Sequence, residues 1–99
     1  MKNTPEEEGW KGFLDLCTKA HDPEDLDALL FLFLTEEERV ALAARFLIVK
    51  ELVRGEQTQR EIAKSRKTSI GQITRGSNAL KVIDENLRKF LDEKLKKDE

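Results

Sequence analysis

The chain has 99 residues, of which 38% are hydrophobic and 38% charged, with a net charge of −2 and one cysteine. These bounds fit a single small domain over 1–99. They exclude a disulfide-stapled scaffold, and no apolar run reaches the roughly 18 residues that suggest a membrane span. No signal-like segment opens the chain, so a reducing cytoplasm is the expected home. The apolar fraction is low for a chain that must build its own core, and dimerisation would compensate.

The first helix is expected to open at Pro5, with Thr4 as N-cap and Glu7 as its reciprocal partner. Trp10, Phe13, Leu14 and Cys17 then fall on one face by helical spacing, so core packing is the reading for Trp10 and Cys17. Asp22-Pro23 repeats the start signal. From Ala28 to Leu34 no polar residue interrupts the run. A helix apolar on every side must be surrounded, which implies an intertwined homodimer with this segment in its interface. His21, the sole histidine, has no ligand set around it and reads as a surface loop residue rather than a metal site.

Thr35 and Glu38 form another capping box, launching a long helix that Gly55 ends after Arg54. Its stripe of Leu42, Phe46, Val49 and Val53 is broadened by Leu47, Ile48 and Leu52, so two surfaces should be covered. Arg45 lies within that stripe. It is expected to be partly enclosed, against a carboxylate or an aromatic face.

Thr58 with Glu61, and Ser69 with Gln72, predict two further capping boxes separated by a turn through Arg66, Lys67 and Thr68. The pattern is a helix-turn-helix over 59–82. From Arg54 to Lys81 seven basic residues face two acidic ones, a net of +5, which leaves −7 for the remainder. A basic segment on an acidic protein suits a phosphate-binding head. Asp84 can cap a last helix with Leu87, Phe90, Leu91 and Leu95 at helical spacing, before a charged end, Lys96 to Glu99, expected to fray. Six helical segments and no alternating strand pattern define an all-α fold.

Catalysis finds no support: there is no Ser-His-Asp or Cys-His pairing, no glycine-rich phosphate loop and no metal-ligand cluster. A purely structural helical dimer leaves the localised basic segment unexplained. At IGQITRGSNALK the chain resembles the bacterial tryptophan repressors, and the resemblance extends to LTEEERVALAARFLIVKELVRGEQTQREIA upstream and NLRKFLDEKL downstream. It covers about two thirds of the chain closely and the first helices in pattern. The resemblance implies a transcriptional repressor that binds a palindromic operator of tryptophan-metabolism genes as a homodimer, with L-tryptophan as corepressor. A regulator of the same fold that needs no ligand, or senses another indole, is the alternative.

Carried over residue by residue, the resemblance implies that Arg45 and Arg75 sandwich the indole, with Arg75 also holding the carboxylate. A planar cation stacks on an indole and a fork of donors fits a carboxylate. Thr35 would lie near that carboxylate, the carbonyls of Leu32 and Leu34 would accept from the ammonium group, and Gly76 would leave room for the ring. On the DNA side it implies Arg54, Gln59, Arg60, Ile70, Gly71, Gln72, Thr74, Asn78 and Lys81, with Arg60 reading guanine. Lys64, Arg66 and Lys67 are expected to attract phosphate without reading sequence. Where relatives carry a turn glycine this chain has Lys67, and Arg66 replaces an apolar residue that packs the two helices. A looser or different turn is the expectation. Ala79 stands where some relatives carry a serine near the ligand amino group, and Gln72 where a smaller hydroxyl residue faces DNA.

Overall fold

The computed structural model describes residues 4–96. They form six α-helices: α1 Pro5–Thr18, α2 Pro23–Phe33, α3 Glu36–Arg54, α4 Gln59–Ser65, α5 Ile70–Val82 and α6 Glu85–Leu95. No strand occurs among the described residues. The all-α expectation is met, while the fraying expected of the charged end, apart from Lys96, falls outside the described residues.

Capping chemistry accounts for the helix starts. Thr4 and Glu7, Thr35 and Glu38, and Thr58 and Glu61 each exchange side-chain and backbone bonds in both directions, at 2.8 to 3.1 Å. Each box satisfies two donors that a helix N-terminus leaves orphaned. Asp22 and Asp84 cap α2 and α6 with a single bond, to the N–H of Asp25 and of Leu87. The box expected at Ser69 is only half made. Ser69 Oγ accepts from Gln72 N at 3.2 Å, and the Gln72 side chain returns no bond to the cap.

The chain divides into two compact units, residues 1–39 and 40–99, with α3 crossing the division. In the first, Phe13 of α1 stacks edge-on against Phe33 of α2 at 5.5 Å, and Trp10 lies 5.8 Å from Phe13. The core packing expected for Trp10 is not what a single chain provides: Trp10 is 61% exposed, and α1 and α2 hold no buried residue. His21 is exposed just before α2, as a loop residue should be.

The second unit contains the core. Ile48 of α3, Ile62 of α4 and Ile73 of α5 form one buried cluster with Leu52 and Ala63 packed on it. Three β-branched residues from three helices lock the helix-turn-helix onto α3. Gly55, at φ 70°, ends α3 in the left-handed region that only glycine enters without cost. Arg54 Nε donates to Leu95 O at 2.7 Å, satisfying one carbonyl at the end of α6.

The turn between α4 and α5 is closed by backbone hydrogen bonds. Lys67 adopts φ 54°, the conformation a glycine would supply, while its N–H donates to Lys64 O at 3.3 Å and the Thr68 N–H to Ala63 O at 3.0 Å. Those are the two bonds of a Schellman ending. Local hydrogen bonding thus forces a left-handed lysine at a cost of about 1–2 kcal/mol. Replacing Lys67 by glycine is expected to raise stability by about 0.5–1 kcal/mol, after the greater freedom of the unfolded glycine is set against the relieved strain. A urea midpoint that rises checks this, and one that falls shows the lysine conformation to be unstrained.

Candidate functional site

Helix α5 distributes its side chains over three directions. Ile73, Gly76, Ser77 and Leu80 are its buried or half-buried positions, spaced as one helical face. Gly71, Thr74, Asn78 and Lys81 form an exposed stripe at the same period. Gln72, Arg75, Gly76 and Ala79 line a recess of about 220 Å³ whose other wall is Arg45, Ile48 and Val49 of α3.

The arginine pair expected from the sequence is therefore brought to one recess. Both guanidinium-bearing residues are exposed, and neither has an ion pair or ring contact among the described residues. This corrects the expectation for Arg45, which is not enclosed and has no carboxylate or aromatic face against it. Two unpaired planar cations beside an apolar floor of Ile48, Val49 and Ala79 can stack on a flat ring and bind a carboxylate. A second, smaller recess of about 140 Å³ adjoins, lined by Ala41, Ala44, Arg45, Ile48, Thr68 and Gln72.

Gly76 lines the recess and is also closely packed, the two motives expected of a glycine within a helix. A Cβ built there would lie 3.2 Å from both Ile48 Cγ2 and Leu52 Cδ1, so its missing side chain lets α5 close onto α3. Gln72, expected to face DNA, lines both recesses beside Arg45.

Gln59 and Arg60 occupy the exposed first turn of α4, and Ile70 and Gly71 the exposed first turn of α5. The stripe of Gly71, Thr74, Asn78 and Lys81 continues that open surface. Arg54 is half-buried, with its Nε committed to α6. In the first unit Leu32 and Thr35 are exposed and Leu34 is half-buried. Leu34 O accepts from Arg39 Nη1 at 3.0 Å, and the same guanidinium lies 4.3 Å from the centre of the Phe31 ring. The carbonyl expected to serve an ammonium group thus already has a cationic donor.

A family model described as Trp repressor protein matches residues 8–95. The chain belongs to the Trp repressor family. A "Trp operon repressor homolog" of Chlamydia caviae is 50% identical over 91 residues, covering 92% of this chain and 90% of that one. The homolog of Chlamydia trachomatis serovar D is 48% identical over 95 residues, 96% of this chain and all of its own. One from Vibrio atlanticus is 39% identical over 85 residues, 86% of this chain and 87% of that relative. Members of this family are transcriptional repressors that bind DNA through a helix-turn-helix, and α4 and α5 are that motif here. Among the described residues no helix is long and apolar enough to cross a membrane. Nor do they contain a His, Cys, Asp or Glu cluster able to hold a metal.

Two residues of consequence escaped the sequence reading. Glu51 is the buried charged residue of α3, 9% exposed, and it pairs with Arg66 at the end of α4. The signal was present: Glu51 follows Ile48 by three positions, so an acidic residue stands on the core face and requires a partner. Arg66, expected to attract phosphate with the neighbouring lysines, is exposed but has its guanidinium paired with Glu51. Arg39 was the other omission. Its place five residues after Leu34 carried no pattern that would single it out.

Proposed function

We propose that the protein represses transcription by binding a palindromic operator as a homodimer in the cytoplasm, with L-tryptophan as corepressor. The observation that carries the reading is the recess that unites Arg45 of the core helix with Arg75 of the second motif helix, above the apolar floor of Ile48, Val49 and Ala79. The indole would stack between the two guanidinium groups while Arg75 holds the carboxylate. Leu32, Leu34 and Thr35 are proposed as further ligand contacts and Gly76 as part of the recess wall. Calorimetric titration with L-tryptophan tests the ligand, and absence of heat or of saturation would remove the corepressor half of the proposal.

For the DNA half, α5 would enter the major groove by its open stripe, with Arg54, Gln59, Arg60, Ile70, Gly71, Gln72, Thr74, Asn78 and Lys81 as contacts. The amides of Ile70 and Gly71 suit phosphate or water-bridged bases. Trp repressors are themselves among the proteins from which helix-turn-helix docking is known, and their two-fold symmetry sets half-sites roughly 34 Å apart. Arg60→Ala is expected to weaken a duplex selected by the wild-type protein by about 1–3 kcal/mol while leaving random duplex nearly unaffected. Equal losses on both, with a salt slope reduced by about one, would show a phosphate contact instead.

Ala79, which lacks a hydroxyl, favours a second reading in which the ligand is an indole without an ammonium group. Titration with indole and indole carboxylates beside L-tryptophan separates the two. Tighter binding of the amine-free compounds selects the second.

A further inference from the structure

We infer that the Glu51–Arg66 ion pair is a positioning device for the DNA-reading head, pinning the corner between α4 and α5 to α3, and that Arg66 is not a phosphate contact. The inference rests on the proposed docking of α4 and α5 on operator DNA.

The corner is a place where one charged side chain can hold both motif helices. Arg66 is the C-cap of α4, its backbone N–H donating to Ile62 O at 2.9 Å. Lys67 follows in the left-handed conformation, and Ser69 caps α5 three residues after Arg66. A tether at Arg66 therefore fixes the end of one helix and, through a hydrogen-bonded turn, the start of the next. Its anchor is constrained too, because Glu51 stands in the last turn of α3 between Ile48 and Leu52, two residues that meet α5 at Gly76.

The core alone does not supply this. Ile48, Ile62 and Ile73 hold the three helices by apolar contact, which is non-directional and tolerates rotation of one helix on another. A guanidinium on a carboxylate is directional. A buried carboxylate is also costly without its partner, so the pair resists opening in a way that a surface pair does not. All three basic residues at this corner are exposed, but Lys64 and Lys67 carry no ion pair among the described residues, whereas the Arg66 guanidinium is paired with Glu51.

A phosphate contact and a pin predict opposite signs for Glu51→Gln. If Arg66 serves phosphate, removing the carboxylate deletes a negative charge and frees the guanidinium, so DNA binding tightens and its salt dependence steepens. If the pair positions the head, operator binding weakens although the protein has become more positive. Arg66→Lys separates the two again: it keeps the charge but loses the planar fork, so only the pin predicts a loss.

The experiment measures both variants and the wild type on a duplex that the wild type selects from a random pool, and on random duplex, with saturating L-tryptophan. Circular dichroism reports folding, and amide hydrogen exchange at Lys67 and Thr68 is followed without DNA. Glu51→Gln is expected to lose about tenfold on the selected duplex and nothing on random duplex, with faster exchange at the corner and a smaller loss for Arg66→Lys. Unchanged or tighter operator binding by folded Glu51→Gln overturns the inference. Should that variant not fold, wild-type affinity in Arg66→Lys overturns it instead. If the wild type selects no duplex, the proposed DNA docking fails, while exchange at the corner still decides the pin.

Discussion

Arg75→Ala is expected to bind the selected operator with the same affinity in the absence and presence of millimolar L-tryptophan, and to remain folded. Arg75 is exposed and has no ion pair among the described residues, so its truncation should cost stability no more than about 0.5 kcal/mol. Its removal takes away one stacking plane and the carboxylate clamp together. In the wild type the ligand acts only through a difference in its affinity for the DNA-competent and incompetent orientations of α5. Coupling of this kind is worth about 1–3 kcal/mol, a change in operator affinity of roughly 5–150-fold. Reciprocity adds a check, because operator DNA must raise tryptophan affinity by that same factor. Fluorescence anisotropy of labelled operator measures one side and calorimetry the other. A tryptophan response that survives in Arg75→Ala would move the carboxylate clamp to another residue.

Dilution is expected to unfold the protein. Phe31, Leu32 and Phe33 of α2 are 66%, 75% and 51% exposed in the single chain, and the helix has no buried residue. An apolar run of this kind is stable in water only when covered, and the proposed second copy covers it. Folding and association then become one equilibrium. A tenfold rise in protein concentration should add about 1.4 kcal/mol of apparent stability and raise the urea midpoint accordingly. Sedimentation of a folded monomer at micromolar concentration, or a midpoint independent of concentration, overturns the homodimer.

Helix starts were legible because their signals are local. A threonine three residues before a glutamate states both partners of a capping box, and Thr4, Thr35 and Thr58 each make theirs. Ser69 shows where locality stops: glutamine has the reach of glutamate but no charge, and the Gln72 side chain lines the recess instead of returning to the cap. Arg45 and Arg75 were found through a motif whose spacing in sequence says nothing of their distance in space. Their meeting in one recess depends on α5 lying against α3. Glu51 and Arg66 lie 15 positions apart, and no local pattern joins them. Lys67 in the place of a turn glycine left a looser or a different turn as the expectation, and the structure shows lysine taking the left-handed conformation with two backbone hydrogen bonds around it.

The 3.2 Å approach of the absent Gly76 Cβ to Ile48 and Leu52 makes that contact a fulcrum for α5. The helix has no room to sink toward α3 there, so a displacement of α5 would have to take the form of a tilt about Gly76. Arg75 is one residue from the fulcrum, about 1.5 Å along the axis, whereas Ile70 at the leading end is about 9 Å away. The lever is long on the side that would meet DNA and short on the side that would meet a ligand. A wedge that shifted the helix by a few tenths of an ångström beside Arg75 would thereby be magnified several-fold at Ile70. Such a gear ratio would let a small molecule place a helix tip in or out of register with a groove, at the cost of moving Ile73, about 4.5 Å from the fulcrum, against the isoleucine core.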